Sequence, residues 1–320
     1  MLKKLLLVFV ALFAVAGLAA CDPTEATTEE PVERTYKADG VYTAFSNETT
    51  NAGGPQMTWV SVTIENDEIT EIFIDCIQSA AVKDAEEVTT GFAFNASSKK
   101  ELGYAYRMHG QRSLSEADYI QWLRDNDKLE WFEQAELIEA FMLENGPAAV
   151  TKDAQTFIDN IASVSIKDGN YTVLAAQAIQ NAIDGVTYVV TTSGMDIVWV
   201  KAEVNEEGVF TSLELNTLQG RFAEGAFFWR DQNKQELGYA YRMHRQNALS
   251  EADYIEWLRD NDKLEWHEQA AVITDYVLEN GVAGLAMDAA NKPTTDGLST
   301  VTIVVHKYFA VIQELYANFS

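Results

Sequence analysis

Two pairs of neighbouring segments alternate hydrophobic and polar residues, and each pair predicts a β-hairpin. In the first pair, residues 60–64 and 69–74 alternate with a period of two on either side of the polar turn 65–68. In the second pair, residues 198–204 and 209–215 flank another polar turn. These segments are rich in β-branched side chains, which favour strands, so both pairs are interpreted as paired antiparallel strands.

A helical period follows each predicted hairpin. Apolar residues spaced three or four positions apart define three stripes: Trp266, Ala270, Ile273 and Val277; Tyr308, Val311, Ile312 and Leu315; and Val173, Ala176, Ile179 and Ile183. Each stripe predicts an amphipathic helix with one buried face. Ser115 and Ser250 are predicted to cap the N-termini of two further helices, and Asp127 and Asp262 are predicted to cap the helices after them.

Residues 101–148 and 236–283 are two copies of one segment. They align without gaps, roughly three quarters of the positions are identical, and three strings recur unchanged: ELGYAYRMH, LSEADYI and WLRDNDKLEW. Two copies at so long a spacing indicate duplicated domains, because solenoids need more repeats of shorter period. The predicted fold is α+β, with two tandem homologous domains, residues 36–185 and 186–320, each a small antiparallel hairpin-based sheet with helices.

The N-terminal segment has the pattern of a lipoprotein signal peptide. Two lysines precede the apolar residues 5–18, a stretch shorter than the ~20 residues that span a bilayer. It ends in Leu-Ala-Ala-Cys, which resembles a bacterial lipobox, in which the cysteine, here Cys21, receives the lipid. An ordinary secretory signal with a coincidental cysteine is the alternative. Residues 1–20 are therefore predicted to be a signal peptide, and residues 21–35 a flexible acidic linker.

This anchor also predicts where the protein acts. Two acyl chains on one cysteine hold a protein stably on a bilayer, whereas a single chain does not. The mature chain is therefore expected on the extracytoplasmic face of the bacterial cell membrane, attached through lipid.

The charge of the chain excludes one class of partner. Its 320 residues include 23 Lys and Arg against 49 Asp and Glu, a formal net charge of −26. Phosphate backbones repel such a chain, so nucleic-acid binding is excluded. Hydrophobic residues make up 47% of the chain, enough to build folded cores, so disorder throughout is excluded as well.

Familiar catalytic and metal-binding motifs are absent from the sequence. Two cysteines cannot form a disulfide framework or a thiolate metal site, and Cys76 in a strand pattern is interpreted as a buried small hydrophobe. His109 and His244 occupy equivalent positions in the two copies, and a structural role is favoured over metal ligation. The string RDNDKLE lacks the glycine and ligand spacing of a calcium loop, which favours a helix-capping loop. No metal site and no catalytic residue are predicted.

Two equivalent segments, one in each predicted domain, contain hydroxyl residues that are candidates for ligand binding. Residues 296–303 read DGLSTVTI, and residues 159–166 read DNIASVSI. Each places a hydroxyl, Thr302 or Ser165, six positions after an aspartate and shortly before a predicted helix. The hydroxyl is interpreted either as a helix N-cap or as part of a phosphate site, where free N–H groups and the helix dipole favour an anion.

These segments resemble the hallmark of the FMN-binding domain family, Asp-x-x-Ser-Gly-Ala-Thr followed by Ser or Thr. In that family an ApbE-type flavin transferase joins FMN to the threonine through a phosphoester. The resemblance extends over both predicted domains, and the string WHEQA at residues 266–270 is similar to helices of tandem-domain flavolipoproteins. It implies cofactor-binding roles for Thr302, Asp296, Ser299 and Thr300 in the second copy and for Ser165, Asp159 and Ser163 in the first.

Both copies depart from the hallmark. Thr300 and Ser163 stand where the family has glycine, and valines stand where it has alanine. Ser165 occupies the position of the acceptor threonine, and Ala162 replaces the hallmark serine in the first copy. The resemblance therefore implies flavin chiefly on Thr302.

The resemblance implies an electron carrier of extracellular electron transfer, a membrane-anchored flavoprotein with covalently bound FMN. Such a carrier takes electrons from a membrane quinone-linked donor and passes them to surface reductases or external acceptors, and it transforms no substrate of its own. The departures from the hallmark leave an alternative, a non-redox surface binding or interaction lipoprotein that keeps the fold without flavin.

Overall fold

A computed structural model of the protein describes residues 34–320. The predicted signal peptide, the lipidation residue Cys21 and nearly all of the predicted linker lie outside these residues. The described chain is a mixture of helices and antiparallel sheets, which agrees with the predicted combination of α and β structure. None of its helices has both the length and the apolar composition that crossing a bilayer requires.

The first half forms one antiparallel sheet with helices after it. Its elements are β1 (Gly40–Thr49), β2 (Pro55–Glu65), β3 (Glu68–Lys83), β4 (Thr89–Phe94), α1 (Lys99–Leu102), α2 (Glu116–Asp125), α3 (Trp131–Asn145) and α4 (Tyr171–Asp184). The strands pair in the order β1-β2-β3-β4. The first predicted hairpin is confirmed as β2 and β3, with Val62 opposite Ile72.

The second half repeats this order of elements with one rearrangement. Its elements are β5 (Val186–Ser193), β6 (Asp196–Val204), β7 (Phe210–Leu218), β8 (Gly220–Ala223), β9 (Ala226–Trp229), α5 (Lys234–Leu237), α6 (Glu251–Asp260), α7 (Trp266–Asn280) and α8 (His306–Ala317). Strands β5, β6 and β7 form one antiparallel sheet, and β8 and β9 form a separate ribbon. The second predicted hairpin is confirmed as β6 and β7, with Val200 opposite Leu215.

Each half has its own apolar core between a sheet and two helices. The two stripes predicted on α7 and α8 are buried as expected, including Ile273 and Ile312, neither of which is exposed. In the first half, inward-facing residues of β2 and β3 such as Val60 and Ile74 are buried with Ile138 of α3. The cores place α3 and α7 directly under the loops that precede α4 and α8.

The stripe predicted on α4 is wrong. Val173 is 63% exposed and Ile183 is also exposed, whereas Leu174, Ala175, Ala178 and Ala182 are buried. The buried face combines the large side chains of Tyr171 and Leu174 with three alanines, so it lies beside the predicted stripe. Alanine is a weak marker of a buried face, which is why the apolar pattern assigned the wrong one.

The capping predictions are half right. Ser115 and Ser250 accept hydrogen bonds from the backbone N–H groups three residues on, at 3.1 and 3.2 Å, and are N-caps as predicted. Asp127 and Asp262 do not cap helices. They adopt left-handed backbone conformations, with φ of 50° and 49°, in the turns after α2 and α6.

The N-cap residues just before α3 and α7 are buried glutamates. Glu130 and Glu265 cap these helices, and each completes a capping box with the glutamate three residues on. Glu265 accepts hydrogen bonds from the N–H groups of Trp266 at 2.7 Å and of Met243 at 3.2 Å. A carboxylate that accepts several backbone N–H groups makes a strong helix cap. Glu130 and Glu265 therefore take the capping role that the sequence assigned to Asp127 and Asp262.

A third apolar cluster joins the two halves. Its buried members are Met57, Ile197 and Trp199. The indole Nε1 of Trp229 donates to the carbonyl of Glu48 at 3.1 Å across the same boundary. Residues 34–320 accordingly form one compact unit. The predicted boundary between residues 185 and 186 falls in the junction of α4 and β5, and the separate folding of the halves stays a prediction.

Candidate functional site

The loop between α7 and α8 places hydroxyl groups on the surface. Its apolar residues Leu298, Val301 and Ile303 are buried in the core of the second half. The residues between them are exposed, including Ser299, Thr300 and Thr302. Burial of the apolar side chains therefore anchors a loop without regular structure and turns its hydroxyls outward.

Gln269 of α7 fixes the backbone at Thr302. Its side-chain Oε1 accepts the N–H of Thr302 at 2.6 Å and the N–H of Ile303 at 3.1 Å, and the hydroxyl of Thr302 also donates to it at 3.3 Å. The Nε2 of Gln269 donates to the carbonyl of Leu264 at 2.9 Å. Gln269 is 1% exposed, so both ends of a buried amide are used. The geometry holds the backbone and leaves the side chain of Thr302 at the surface.

The first half repeats this arrangement around Ser165. Oε1 of Gln134 accepts the N–H of Ser165 at 2.7 Å and its hydroxyl at 3.2 Å. Nε2 of Gln134 donates to the carbonyl of Leu129 at 3.0 Å. Two segments that differ at most positions are thus held by the same contact, which makes the position of the hydroxyl a shared feature of both halves.

A pocket of about 580 Å³ opens beside Thr302. Its walls include apolar side chains, charged side chains and the three loop hydroxyls: Ile255, Leu258 and Leu264; Arg259, Lys263, Asp262 and Glu268; and Ser299, Thr300 and Thr302, together with Tyr239. The volume lies in the range of ~300–1,000 Å³ typical of small-molecule sites. Apolar walls with a few polar groups are the usual composition of such sites.

The turn after α6 brings two cations to this pocket. The helix ends at Asp260, and the N–H of Lys263 donates to the carbonyl of Leu258 at 2.9 Å. Both Arg259 and Lys263 line the pocket. The neighbouring Tyr239 donates its hydroxyl hydrogen to Oε1 of Glu268 at 2.8 Å, and this hydrogen bond, followed by burial, raises the pKa of Tyr239.

The structure brings together some of the residues predicted for the site. Ser299, Thr300 and Thr302 line one pocket, whereas Asp296 is exposed and does not line it. In the first half, Asp159 accepts the hydroxyl hydrogen of Thr151.

Ser163 has a backbone conformation that favours glycine. Its φ is 66°, in the left-handed region where residues with a Cβ are strained. This is the position at which the hallmark of the FMN-binding domain family has glycine. Thr300, its counterpart in the second half, does not share the conformation, so the two loops differ in backbone as well as in sequence.

The N-cap interpretation of the two hydroxyls is wrong. The N-cap positions of α8 and α4 are Val305 and Asn170, and neither residue caps its helix through its side chain. At the start of α4 the carboxylate of Asp168 accepts the N–H of Thr172 at 2.9 Å instead. The hydroxyls of Thr302 and Ser165 contact Gln269 and Gln134 and accept no hydrogen bond from the first N–H groups of these helices. The cationic side chains near Thr302 are Arg259 and Lys263, which line the pocket, and Lys292, whose ammonium group donates to the carbonyl of Thr302.

The repeated histidines have structural contacts. Nε2 of His109 lies 2.9 Å from the carbonyl of Leu129, and Nε2 of His244 lies 3.0 Å from the carbonyl of Leu264. These are the carbonyls that also receive the site glutamines. Within residues 34–320, no group of three or more potential His, Cys, Asp or Glu ligands is placed to hold a metal ion.

The glutamines and the pocket cations were missed by sequence reasoning. Arg259 and Lys263 lie in the string WLRDNDKLEW, which recurs unchanged, and Gln134 and Gln269 occupy equivalent positions shortly after it. That repetition was a usable signal, but identical strings serve packing as often as binding. What distinguishes these residues is their position against the 159–166 and 296–303 loops, which is a tertiary contact.

Comparisons with known proteins leave the family of the chain open. No protein-family model matches it, and no curated protein matches it significantly. A solved structure that matches is a solution NMR structure from Clostridium thermocellum, a Northeast Structural Genomics Consortium target. It has 21% sequence identity and a TM-score of 0.27, and the match covers 45% of this chain and 91% of that chain. A likeness this low carries no argument about fold or function.

Replacing Gln269 by alanine is expected to loosen the 296–303 loop. The N–H groups of Thr302 and Ile303 lose their acceptor, and the loss of such a buried contact costs about 1–3 kcal/mol. Hydrogen exchange measured on peptides that cover the loop should show faster exchange at these two amides. Gln134→Ala is the matched control, because it should accelerate exchange in residues 159–166 and leave 296–303 protected. Unchanged protection of Thr302 in Gln269→Ala would contradict the role given to this glutamine.

Proposed function

We propose that this protein is a membrane-anchored extracytoplasmic flavoprotein that carries FMN covalently on Thr302 and acts as an electron carrier in extracellular electron transfer. One observation carries the proposal. The hydroxyl at the position of the family's acceptor lies at the edge of a pocket of ligand size, on a backbone that a buried glutamine holds.

The pocket beside Thr302 has the chemistry that FMN requires. Ile255 and Leu264 offer apolar surface for a planar ring system, and Arg259 and Lys263 offer positive charge for a phosphate. The volume of about 580 Å³ suits a ligand of this size. When bound, FMN supplies the redox chemistry, since the isoalloxazine accepts and donates electrons while the protein supplies attachment and tuning.

Each of the protein groups has a separate task in this proposal. The Thr302 hydroxyl would supply the oxygen of the phosphoester and lose its proton, while the transferase would supply the flavin phosphate as a pyrophosphate-activated flavin dinucleotide, whose P–O–P bond breaks so that the second nucleotide leaves with its phosphate. Gln269 holds the backbone on both sides of that oxygen, so the acceptor is presented to an ApbE-type flavin transferase in one orientation. Arg259 and Lys263 offset the negative charge of the phosphate.

The proposed organisation is that of two tandem homologous FMN-binding-like domains after a lipoprotein signal peptide. The equivalent glutamine contacts at Thr302 and Ser165 support the duplication, and the left-handed backbone at Ser163 supports the likeness of the first copy to the hallmark. Lipid on Cys21 would hold both domains at the outer surface of the membrane. We place the electron donor among membrane quinone-linked proteins and the acceptors among surface reductases and external acceptors.

Colour distinguishes this proposal from that of a non-redox surface lipoprotein. Full-length protein co-expressed with a flavin transferase is expected to be yellow, and its flavin absorbance is expected to remain with the protein after denaturation and gel filtration. The same protein expressed without the transferase is the control and should lose its colour on denaturation. A colourless protein after co-expression with an active transferase would favour the alternative, a binding lipoprotein that keeps the fold without flavin.

A further inference from the structure

A second cavity lies between the two halves and is distinct from the pocket beside Thr302. Its volume is about 250 Å³, and it is lined by residues of β1, β2, β3 and β5 and by the C-terminal part of α8. None of the residues that line it also lines the pocket beside Thr302. We call this cavity the aromatic cleft, because it contains the rings of Trp59, Phe73 and Tyr188.

The alternation of side chains along the strands brings these rings to the cleft. Val60 and Ile74 are buried in the core of the first half, so Trp59 and Phe73, which precede them, lie on the opposite face of the sheet. All three rings, including that of Tyr188, are partly exposed. The face of an aromatic ring carries partial negative charge, so rings in such a position attract cations.

The charged residues of the aromatic cleft are acidic. Glu71 and Glu314 line it, whereas no lysine, arginine or histidine of residues 34–320 does. The side chain of Glu314 is exposed, but the surrounding chain removes part of its water, and this desolvation raises the pKa of Glu314. No hydrogen-bond donor or cation of the described residues lowers that pKa. The cleft therefore places a carboxylate without a counter-ion beside three aromatic rings.

An adjoining cavity of about 630 Å³ continues the aromatic cleft, and the two share four lining residues: Trp59, Phe73, Val190 and Glu314. Lys100 and Lys307 line the adjoining cavity. The ammonium group of Lys100 lies 4.0 Å from the ring centroid of Phe73 and forms an ion pair with Glu139 at 2.6 Å. A cation thus already contacts one of the rings, and because Glu139 neutralises its charge, it does not oppose a second cation in the cleft.

The equivalent cleft on the other side of the junction between the halves has a different charge. Its volume is about 370 Å³, and its indole is that of Trp199 on β6. Gln177 of α4 stands at the position of Glu314 of α8, so an amide replaces the carboxylate. The charged residues that line it are Lys201 and Glu214, whose charges offset each other. Of the two clefts, the aromatic cleft alone has an excess of negative charge.

We propose that the aromatic cleft binds a quaternary ammonium group, whose positive charge faces the rings of Trp59, Phe73 and Tyr188 and the carboxylate of Glu314. Such a group is weakly hydrated, so it loses little on leaving water, and aromatic rings attract it strongly. A volume of about 250 Å³ accommodates the group, and the adjoining cavity accommodates the rest of a larger ligand. This binding activity goes beyond flavin attachment and does not depend on it.

Choline and dimethylbutanol, in which carbon replaces the charged nitrogen of choline, provide the test. Full-length protein in an uncharged detergent is titrated with each compound by isothermal titration calorimetry. The two compounds have nearly the same shape, so a difference in affinity reports the charge. Choline is expected to bind at least about tenfold more tightly than dimethylbutanol. Equal affinity for the two compounds, or no binding of choline, would overturn the proposal.

Three substitutions test whether choline occupies the aromatic cleft. Glu314→Gln keeps the size of the side chain, removes its charge and should weaken choline binding about fivefold, with no change for dimethylbutanol. Trp59→Leu removes a ring and should weaken choline binding about three- to tenfold. Gln177→Ala, at the equivalent position of the other cleft, is the matched control and should leave choline binding unchanged.

Glu314→Gln decides the outcome, because this side chain is exposed and its substitution should not disturb folding. Thermal unfolding of each variant is compared with that of the unsubstituted protein. Unchanged choline binding in Glu314→Gln would show that choline binds elsewhere and would overturn the site. Weaker choline binding in Gln177→Ala would assign it to the other cleft and would also overturn the site.

Discussion

Replacing Thr302 by alanine is expected to remove most of the flavin from protein co-expressed with a flavin transferase. A phosphoester needs a hydroxyl oxygen, and this one lies at the edge of the 580 Å³ pocket with its backbone held by Gln269. The methyl group of threonine restricts rotation about χ1, so its oxygen is presented in fewer directions than that of serine. Intact-mass measurement should show mainly one FMN adduct on the unsubstituted protein and a large loss in Thr302→Ala.

Ser165→Ala provides the matched comparison. Ser165 has the same glutamine contact as Thr302, at 2.7 Å from its N–H to Oε1 of Gln134, so the backbone alone does not separate the two positions. The surrounding loops distinguish the two positions, because Ser299 supplies a hydroxyl in the second half and its counterpart in the first half is Ala162. Ser165→Ala should therefore leave most of the adduct in place. An adduct population that Thr302→Ala does not change would overturn the assignment of the acceptor.

Replacing Cys21 by alanine is expected to release the protein from the membrane fraction. The mature chain would lose its two acyl chains, and no helix of residues 34–320 is suited to span a bilayer in their place. The net charge of −26 gives no electrostatic attraction to anionic lipids. After cell fractionation and a salt wash, the unsubstituted protein should remain with membranes, and Cys21→Ala should be recovered in the soluble fraction.

The second cysteine is a control for this experiment. Cys76 lies on β3 with 1% of its surface exposed, and burial raises the pKa of its thiol to about 11. Such a thiol is neutral and inaccessible, so Cys76→Ala should fractionate with membranes as the unsubstituted protein does. Retention of Cys21→Ala on membranes after the wash would show that the lipobox interpretation is wrong.

Local patterns were enough to predict two hairpins and the buried stripes of α7 and α8, but not the strands β1, β4, β5, β8 and β9. Alternation around polar turns located the hairpins of β2 with β3 and of β6 with β7, and the stripe that includes Ile273 located α7. These signals succeed because one face of each element is buried and large apolar residues mark it. They failed at α4, where three alanines occupy part of the buried face beside Leu174 and where Val173 is exposed.

Predicting the site required more than local pattern. The sequence singled out Thr302 and Ser165 as candidates, because a short motif is visible within one segment. It did not reveal that Gln269 fixes Thr302, since these residues are far apart in the chain and meet only when α7 packs under the loop. Arg259 was missed for the same reason, because a charged residue at the end of a helix is ordinarily solvated, and its pocket exists only in the folded chain.

Peptide mass mapping of the 296–303 loop is the most direct test of the central claim, that Thr302 carries FMN. Full-length protein is co-expressed with a flavin transferase, denatured and digested, and the flavin-bearing peptides are fragmented to locate the modified residue. The account predicts that most of the flavin is found on Thr302, with little or none on Ser165. Flavin on another residue would contradict this account, and so would the absence of any flavin-bearing peptide after co-expression with an active transferase.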